Sequence, residues 1–80
     1  MSLNVYPAFC ARIKEAHNYM SKRNLLSAEN AIQSACDMTF DHYALFPYRE
    51  RMHDIDRALM FGEYSSAYRM VIEFMEKLGI

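Results

Sequence analysis

Two cysteines and two histidines of this 80-residue chain belong to the residue types that bind zinc. Cys10, His17, Cys36 and His42 could in principle supply the four ligands of a tetrahedral site. None of them has the short Cys-x2-Cys or His-x3-His spacing that is typical of structural zinc. We therefore predict no metal or other cofactor, and we interpret both cysteines as small buried thiols.

A second pair that could carry chemistry is Arg12 and His17, which are separated by four residues. This spacing resembles the Arg-x4-His ribonuclease signature of the HEPN family, in which a dimer brings two such pairs together over an RNA phosphate. The resemblance implies a ribonuclease or a nucleic-acid-directed regulator, which we retain as the alternative function. The competing interpretation is an exposed arginine and a histidine that borders the apolar stripe of its helix. On balance we predict that the protein is not an enzyme.

The sequence His53-Asp54 is similar to the metal-binding pair of the HD phosphohydrolases. That chemistry needs further histidine and aspartate ligands on other helices, and the sequence shows none in a recognisable order. The charged run 49–57 is better interpreted as a solvated helix face with pairs at a spacing of three residues, such as Arg51 with Asp54 and Asp54 with Arg57.

Charge and glycine content argue against phosphate ligands. Nine basic and ten acidic residues give a net charge of −1, so no long-range field attracts nucleic acid or an anionic membrane. Lys14, Lys22 and Arg23 form only a small basic area, and a chain whose two glycines are Gly62 and Gly79 contains no glycine-rich phosphate loop. Nucleic acid is therefore an unlikely partner.

The elements that must position these residues come from a repeat of thirty-nine residues. Eight apolar positions recur at helical spacing, which indicates two amphipathic helices in each unit. The first unit has Phe9, Ile13, Ala16, Met20, Leu25, Ala28, Ile32 and Ala35, and the second has Tyr48, Met52, Ile55, Leu59, Tyr64, Ala67, Val71 and Phe74. We predict a single all-α domain over residues 1–80, with one antiparallel hairpin at about 5–40 and another at about 47–79.

Proline, glycine and polar residues mark where the helices are expected to begin and end. The predicted helices run from Asn4 or Tyr6 to about Lys22, from about Leu25 to Phe40, from Pro47 to Gly62, and from Tyr64 to Leu78 with Gly79 beyond it.

Small and aromatic positions make each hairpin resemble a tetratricopeptide unit. The resemblance rests on Ala16, Tyr19, Ala28, Ile32 and Ala35 in the first unit and on Gly62, Tyr64 and Ala67 in the second. It implies a short helical-repeat array, whereas the same stripe spacing also fits an up-and-down four-helix bundle. We favour a closed bundle or a homodimer over an open array, because a chain this short buries more apolar surface that way.

The connection between the second and third helices is the strongest candidate for a binding site. A connection should be polar, but residues 40–48 contain two phenylalanines, two tyrosines and a leucine. Aromatic side chains are enriched among binding hot spots, so we predict that Phe40, His42, Tyr43 and Phe46 bind a protein. The competing interpretation, in which these side chains cover the end of the core, carries equal weight.

Composition completes the functional prediction. The chain has globular apolar and charged fractions of 52% and 24%, no apolar run near the roughly 18 residues of a spanning helix, and no basic, apolar leader. We predict a soluble cytoplasmic protein-interaction module that does not associate with membranes. It would bind a larger protein as an adaptor, chaperone or inhibitor, of the kind found among bacterial and phage accessory factors.

Overall fold

A computed structural model describes residues 5–80 and contains four α-helices with one short 3₁₀ helix between the second and the third. The elements are α1 (Tyr6–Ser21), α2 (Leu25–Asp41), the 3₁₀ helix (Tyr43–Tyr48), α3 (Arg49–Met60) and α4 (Tyr64–Leu78). No strand occurs within this described range, and the predicted all-α class is confirmed. Of the two predicted starts of the first helix, Tyr6 is the observed one and Asn4 lies outside the described residues.

The four helices form a closed antiparallel bundle. Each helix packs on its neighbours in the chain, and α1 also packs on α4. Phe9 near the start of α1 meets Phe74 near the end of α4, with ring centroids 6.0 Å apart. Farther along, His17 of α1 stacks on Tyr68 of α4 at 5.3 Å. This contact between the first and last helices distinguishes the bundle from an open array, in which the outer helices would lie apart.

The core lies along the axis of the bundle and consists of the predicted stripes. Thirteen of the sixteen stripe residues are buried, and Leu25, Tyr48 and Tyr64 are the exceptions. Tyr64 is 43% exposed and lies at the start of α4, where it lines a groove next to the end of α1. Leu45 and Ala58 add buried apolar side chains that the repeat did not include.

Both hairpin turns have the same backbone geometry. In the first turn the amide of Asn24 donates to the carbonyl of Tyr19 at 2.8 Å, and in the second the amide of Glu63 donates to that of Ala58 at 2.8 Å. The residue before each donor adopts the left-handed conformation, with φ of 59° at Arg23 and 76° at Gly62. These bonds define a Schellman motif at the end of α1 and of α3. The sequence repeat is therefore also a structural repeat.

The third helix begins later than predicted. Pro47 was expected to open it, whereas Pro47 lies inside the 3₁₀ helix and α3 begins at Arg49. His42 is extended, with φ of −125° and ψ of 116°, and this conformation separates α2 from the 3₁₀ helix. Proline has no amide hydrogen, so it is accommodated in a short 3₁₀ segment that joins directly onto α3.

No helix within residues 5–80 combines the length and the apolar character that crossing a bilayer requires.

Candidate functional site

The predicted site residues lie where the chain passes from α2 to α3. Phe40, Tyr43 and Phe46 are 57%, 93% and 53% exposed, and His42 is exposed as well. Leu45, which belongs to the same segment, is only 1% exposed and contributes to the core. Leu45 thus anchors the connection together with Tyr48, whose ring stacks on Phe9, while the rings of Phe40, Tyr43 and Phe46 face solvent. We name Phe40, Tyr43, Phe46 and Arg49 together the aromatic surface.

Arg49 organises this surface. The central carbon of its guanidinium lies 4.2 Å from the ring centroid of Phe40 and 4.4 Å from that of Phe46. Both distances are well inside the range of about 6 Å in which a cation is attracted by an aromatic face. Tyr43 stacks on Phe46 with centroids 6.4 Å apart and ring planes 26° from parallel. Four side chains therefore form one continuous stack.

The end of α2 explains why Arg49 occupies this position. Thr39 is completely buried, and its hydroxyl donates to the carbonyl of Cys36 at 2.6 Å. The carbonyl of Thr39 belongs to the last turn of the helix, where the amide needed for a helical hydrogen bond is missing. Arg49 Nη2 donates to this carbonyl at 3.2 Å. A partly buried hydrogen bond thus fixes one side of the guanidinium, while its faces contact the two rings.

Sequence reasoning missed Arg49, because it treated the charged run at 49–57 as a uniformly solvated face. A cation shortly after a helix end is a common partner for unsatisfied carbonyls, and that pattern could have indicated its role. Within residues 5–80 the predicted pairs Arg51–Asp54 and Asp54–Arg57 do not form, since the one ion pair there joins Arg12 to Glu15. The guanidinium of Arg51 instead lies 5.9 Å from the ring centroid of Phe74.

A shallow groove of about 460 Å³ adjoins the aromatic surface. Its lining consists of Phe40, Phe46, Pro47, Arg49, Glu50 and His53. The rings of Phe40, Phe46 and Pro47 give it an apolar part, and the exposed Glu50 and His53 of α3 give it a carboxylate and an imidazole. The groove can therefore hold an aromatic or aliphatic side chain and offer a hydrogen bond to a polar group at its tip.

The structure separates Arg12 from His17. Arg12 Nη1 lies 2.6 Å from the carboxylate of Glu15 and lines a groove between α1 and α2. His17 faces α4, where its Nε2 lies 3.4 Å from the hydroxyl of Tyr68. Within one chain the two side chains therefore face different neighbouring helices and do not form a common site.

The four residues that were weighed as zinc ligands, for which no metal was predicted, also do not converge. Across residues 5–80, no three histidine, cysteine, aspartate or glutamate side chains are grouped so that they could hold a metal ion. Cys10 and Cys36 are buried free thiols, as predicted. Burial raises the pKa of Cys36, the charges of Asp56 and Asp37 raise it further, and Arg49 lowers it. The thiol is thus protonated at neutral pH and poorly suited to nucleophilic chemistry.

The opposite end of the bundle has exposed apolar side chains of its own. Leu26, Met60 and Phe61 are about 70% exposed and lie at or next to the two hairpin turns. A broad groove of about 590 Å³ between the end of α1 and the start of α4 lies at this end and includes Tyr64 and Tyr68 in its lining. Tyr68 stacks on His17, whereas within residues 5–80 neither Phe61 nor Tyr64 takes part in a ring stack like that around Arg49.

Comparison of the chain with protein-family models, with curated proteins and with solved structures gives no match.

Proposed function

We propose that this protein is a non-enzymatic interaction module that binds a larger protein through its aromatic surface. The observation that supports this proposal is the stack of Tyr43, Phe46 and Phe40 around Arg49, which leaves three large rings more than half exposed. Aromatic and arginine side chains are the residue types most enriched among binding hot spots. Its biological role would be that of an adaptor, chaperone or inhibitor.

Pre-organisation of the surface favours this proposal. Buried Leu45 anchors the 3₁₀ helix, and the hydrogen bond from Arg49 to Thr39 ties the start of α3 to the end of α2. Binding then costs little side-chain entropy, since Arg49 holds both phenylalanine rings before a partner arrives. If the rings only covered the core, they would not need a guanidinium that holds them in place.

The two buried thiols are compatible with a reducing compartment, and we propose a cytoplasmic location on that basis. Measuring the thiol content of protein isolated from its native host, under conditions that block exchange, tests this location. A disulfide through either cysteine would contradict it.

The proposed function is tested by affinity capture from the native host, identification of the captured protein, and titration with that purified partner. Tyr43→Ala should weaken binding about thirty-fold, because truncating a central aromatic anchor costs about 2 kcal/mol. Phe61→Ala is the matched control, since Phe61 is an equally large exposed ring at the other end of the bundle. Circular dichroism should show unchanged helical content for both variants.

A partner that binds Tyr43→Ala and Phe46→Ala as tightly as the unmodified chain would refute the proposal. If Phe61→Ala weakened binding and the other two variants did not, the contact surface would instead lie at the end of the bundle that contains the two hairpin turns.

A further inference from the structure

The aromatic surface has a protruding ring and a groove side by side. Tyr43 is 93% exposed, and its ring stacks on that of Phe46. Phe46 also lines the groove that contains Arg49, Glu50 and His53. A two-fold pairing of identical chains requires that the projection and its receptor belong to the same patch.

We propose that two copies of this chain pair through the aromatic surface, each inserting Tyr43 into the groove of the other. The pair hides the rings that bind the larger protein, so self-association regulates access to them. This regulatory part rests on the proposed function, whereas the pairing itself does not.

The exposed area is sufficient for a reversible dimer. Taking about 200 Å² for each aromatic side chain, the exposed fractions of Phe40, Tyr43 and Phe46 amount to about 400 Å² per chain. Two chains then bury about 800 Å² through these rings alone, and exposed Pro47 and His53 border the same patch, so the interface has the size of a weak, transient one. An interface of this size predicts a weak dimer with a dissociation constant in the micromolar range.

The polar chemistry of the groove suits a tyrosine. The phenol of an inserted Tyr43 is a hydrogen-bond donor, and the carboxylate of Glu50 in the groove wall is an acceptor. Arg49 and Glu50 also carry opposite charges, so two such grooves facing each other about a two-fold axis place no excess of one sign at the interface. The chain as a whole has a net charge of only −1, which gives little repulsion between copies.

The pairing is tested by sedimentation equilibrium of the full chain across a concentration series. Tyr43→Ala removes the projecting ring but keeps the groove, and His53→Trp fills the groove but keeps the ring. Each variant alone should associate at least thirty-fold more weakly than the unmodified chain. Phe61→Ala should associate normally.

Mixing the two variants provides the decisive measurement. A mixed pair restores one of the two insertions, in which Tyr43 of the His53→Trp chain enters the groove of the Tyr43→Ala chain. The mixture should therefore associate more tightly than either variant does by itself. An unmodified chain that stays monomeric at millimolar concentration, or a mixture no tighter than its components, would overturn the pairing.

Regulation is tested separately with the partner identified by capture. Binding of that partner per chain should fall as the concentration of the chain passes its own dimer dissociation constant. Normal partner binding by a chain that never dimerises would overturn this inference and leave the proposed function intact. Dimerisation through Tyr43 with no Tyr43-dependent partner would overturn the proposed function and its regulation and leave the pairing intact.

Discussion

Replacing Arg23 by glycine should stabilise the protein. Arg23 adopts a φ of 59°, a left-handed conformation in which its Cβ crowds the neighbouring carbonyl. The equivalent residue of the second hairpin turn is Gly62, with φ of 76° and the same pattern of hydrogen bonds around it. The protein therefore contains one turn with the favoured residue and one without it.

The magnitude follows from two opposing terms. A residue with a Cβ pays about 1–2 kcal/mol in the left-handed region, and glycine avoids this cost in the folded state. Glycine also loses more backbone entropy on folding, which lowers the free energy of unfolding by about 0.4–1 kcal/mol. The net gain in the free energy of unfolding is about 0.5–1 kcal/mol, which corresponds to a rise in Tm of about 3–6 °C for a chain of this size.

Thermal and urea unfolding followed by circular dichroism measure this gain. Arg23→Ala is the matched control, because it removes the exposed guanidinium but keeps the Cβ, and it should leave the stability close to that of the parent. Gly62→Ala should lose about 1 kcal/mol, since a Cβ at Gly62 meets no atom within 4 Å and the loss is purely conformational. If Arg23→Gly proved no more stable than Arg23→Ala, the backbone explanation would be refuted.

Three further predictions concern the core, the thiol and catalysis. Leu45→Ala should lower the free energy of unfolding by about 2–5 kcal/mol, because it leaves a cavity at a fully buried site. Tyr43→Ala should change it by less than about 0.5 kcal/mol. Chemical denaturation of the two variants measures both free energies. Cys36 should react slowly with a thiol reagent in the folded protein. Folding raises the pKa of Cys36, so the stability that comes from the neutral thiol is fully present below the usual cysteine pKa and is lost as the pH rises through the raised pKa. The free energy of unfolding should therefore fall above about pH 9. It should fall less in Cys36→Ala. The purified protein should leave RNA intact and contain no stoichiometric zinc, as measured by gel assay and elemental analysis.

Each of these predictions has a distinct contrary result. Equal loss of stability in Leu45→Ala and Tyr43→Ala would show that the exposed ring is structural. Rapid labelling of Cys36 would show that its helix opens readily. RNA cleavage that disappears on Arg12→Ala or His17→Ala would restore the ribonuclease hypothesis, because a dimer could supply the second half of such a site.

Helix positions were predictable because the packing residues repeat with helical spacing and the turns are marked locally. The predicted ends at Lys22, Gly62 and Gly79 lie within one residue of the observed caps of their helices. Closure of the bundle was not predictable in the same way. Phe9 would pack against a neighbouring helix in either arrangement, so its spacing indicates that it is buried but not that its neighbour is Phe74.

The aromatic surface was predicted only in part. Unusual composition identified Phe40, Tyr43 and Phe46, but nothing in the sequence distinguished them from Leu45, which is buried a single residue away from exposed Phe46. That distinction depends on the 3₁₀ geometry of the connection. The role of Arg49 depends on how α2 and α3 meet, because Thr39 and Arg49 become neighbours only when both helices are packed.

The pattern of helix packing is the same for the two hairpins. Exchanging α1 with α3 and α2 with α4 maps each observed packing pair onto another, since α2 on α3 becomes α4 on α1. Each hairpin therefore contacts the other through both of its helices, and the segment between α2 and α3 acts as the tether that raises the effective concentration of one hairpin near the other. The effect of such a tether depends more on the length of the segment than on its sequence. Leu45 and Tyr48 of this segment contact the core, whereas its exposed side chains at 42–44 and 46 can change while the fold stays constant.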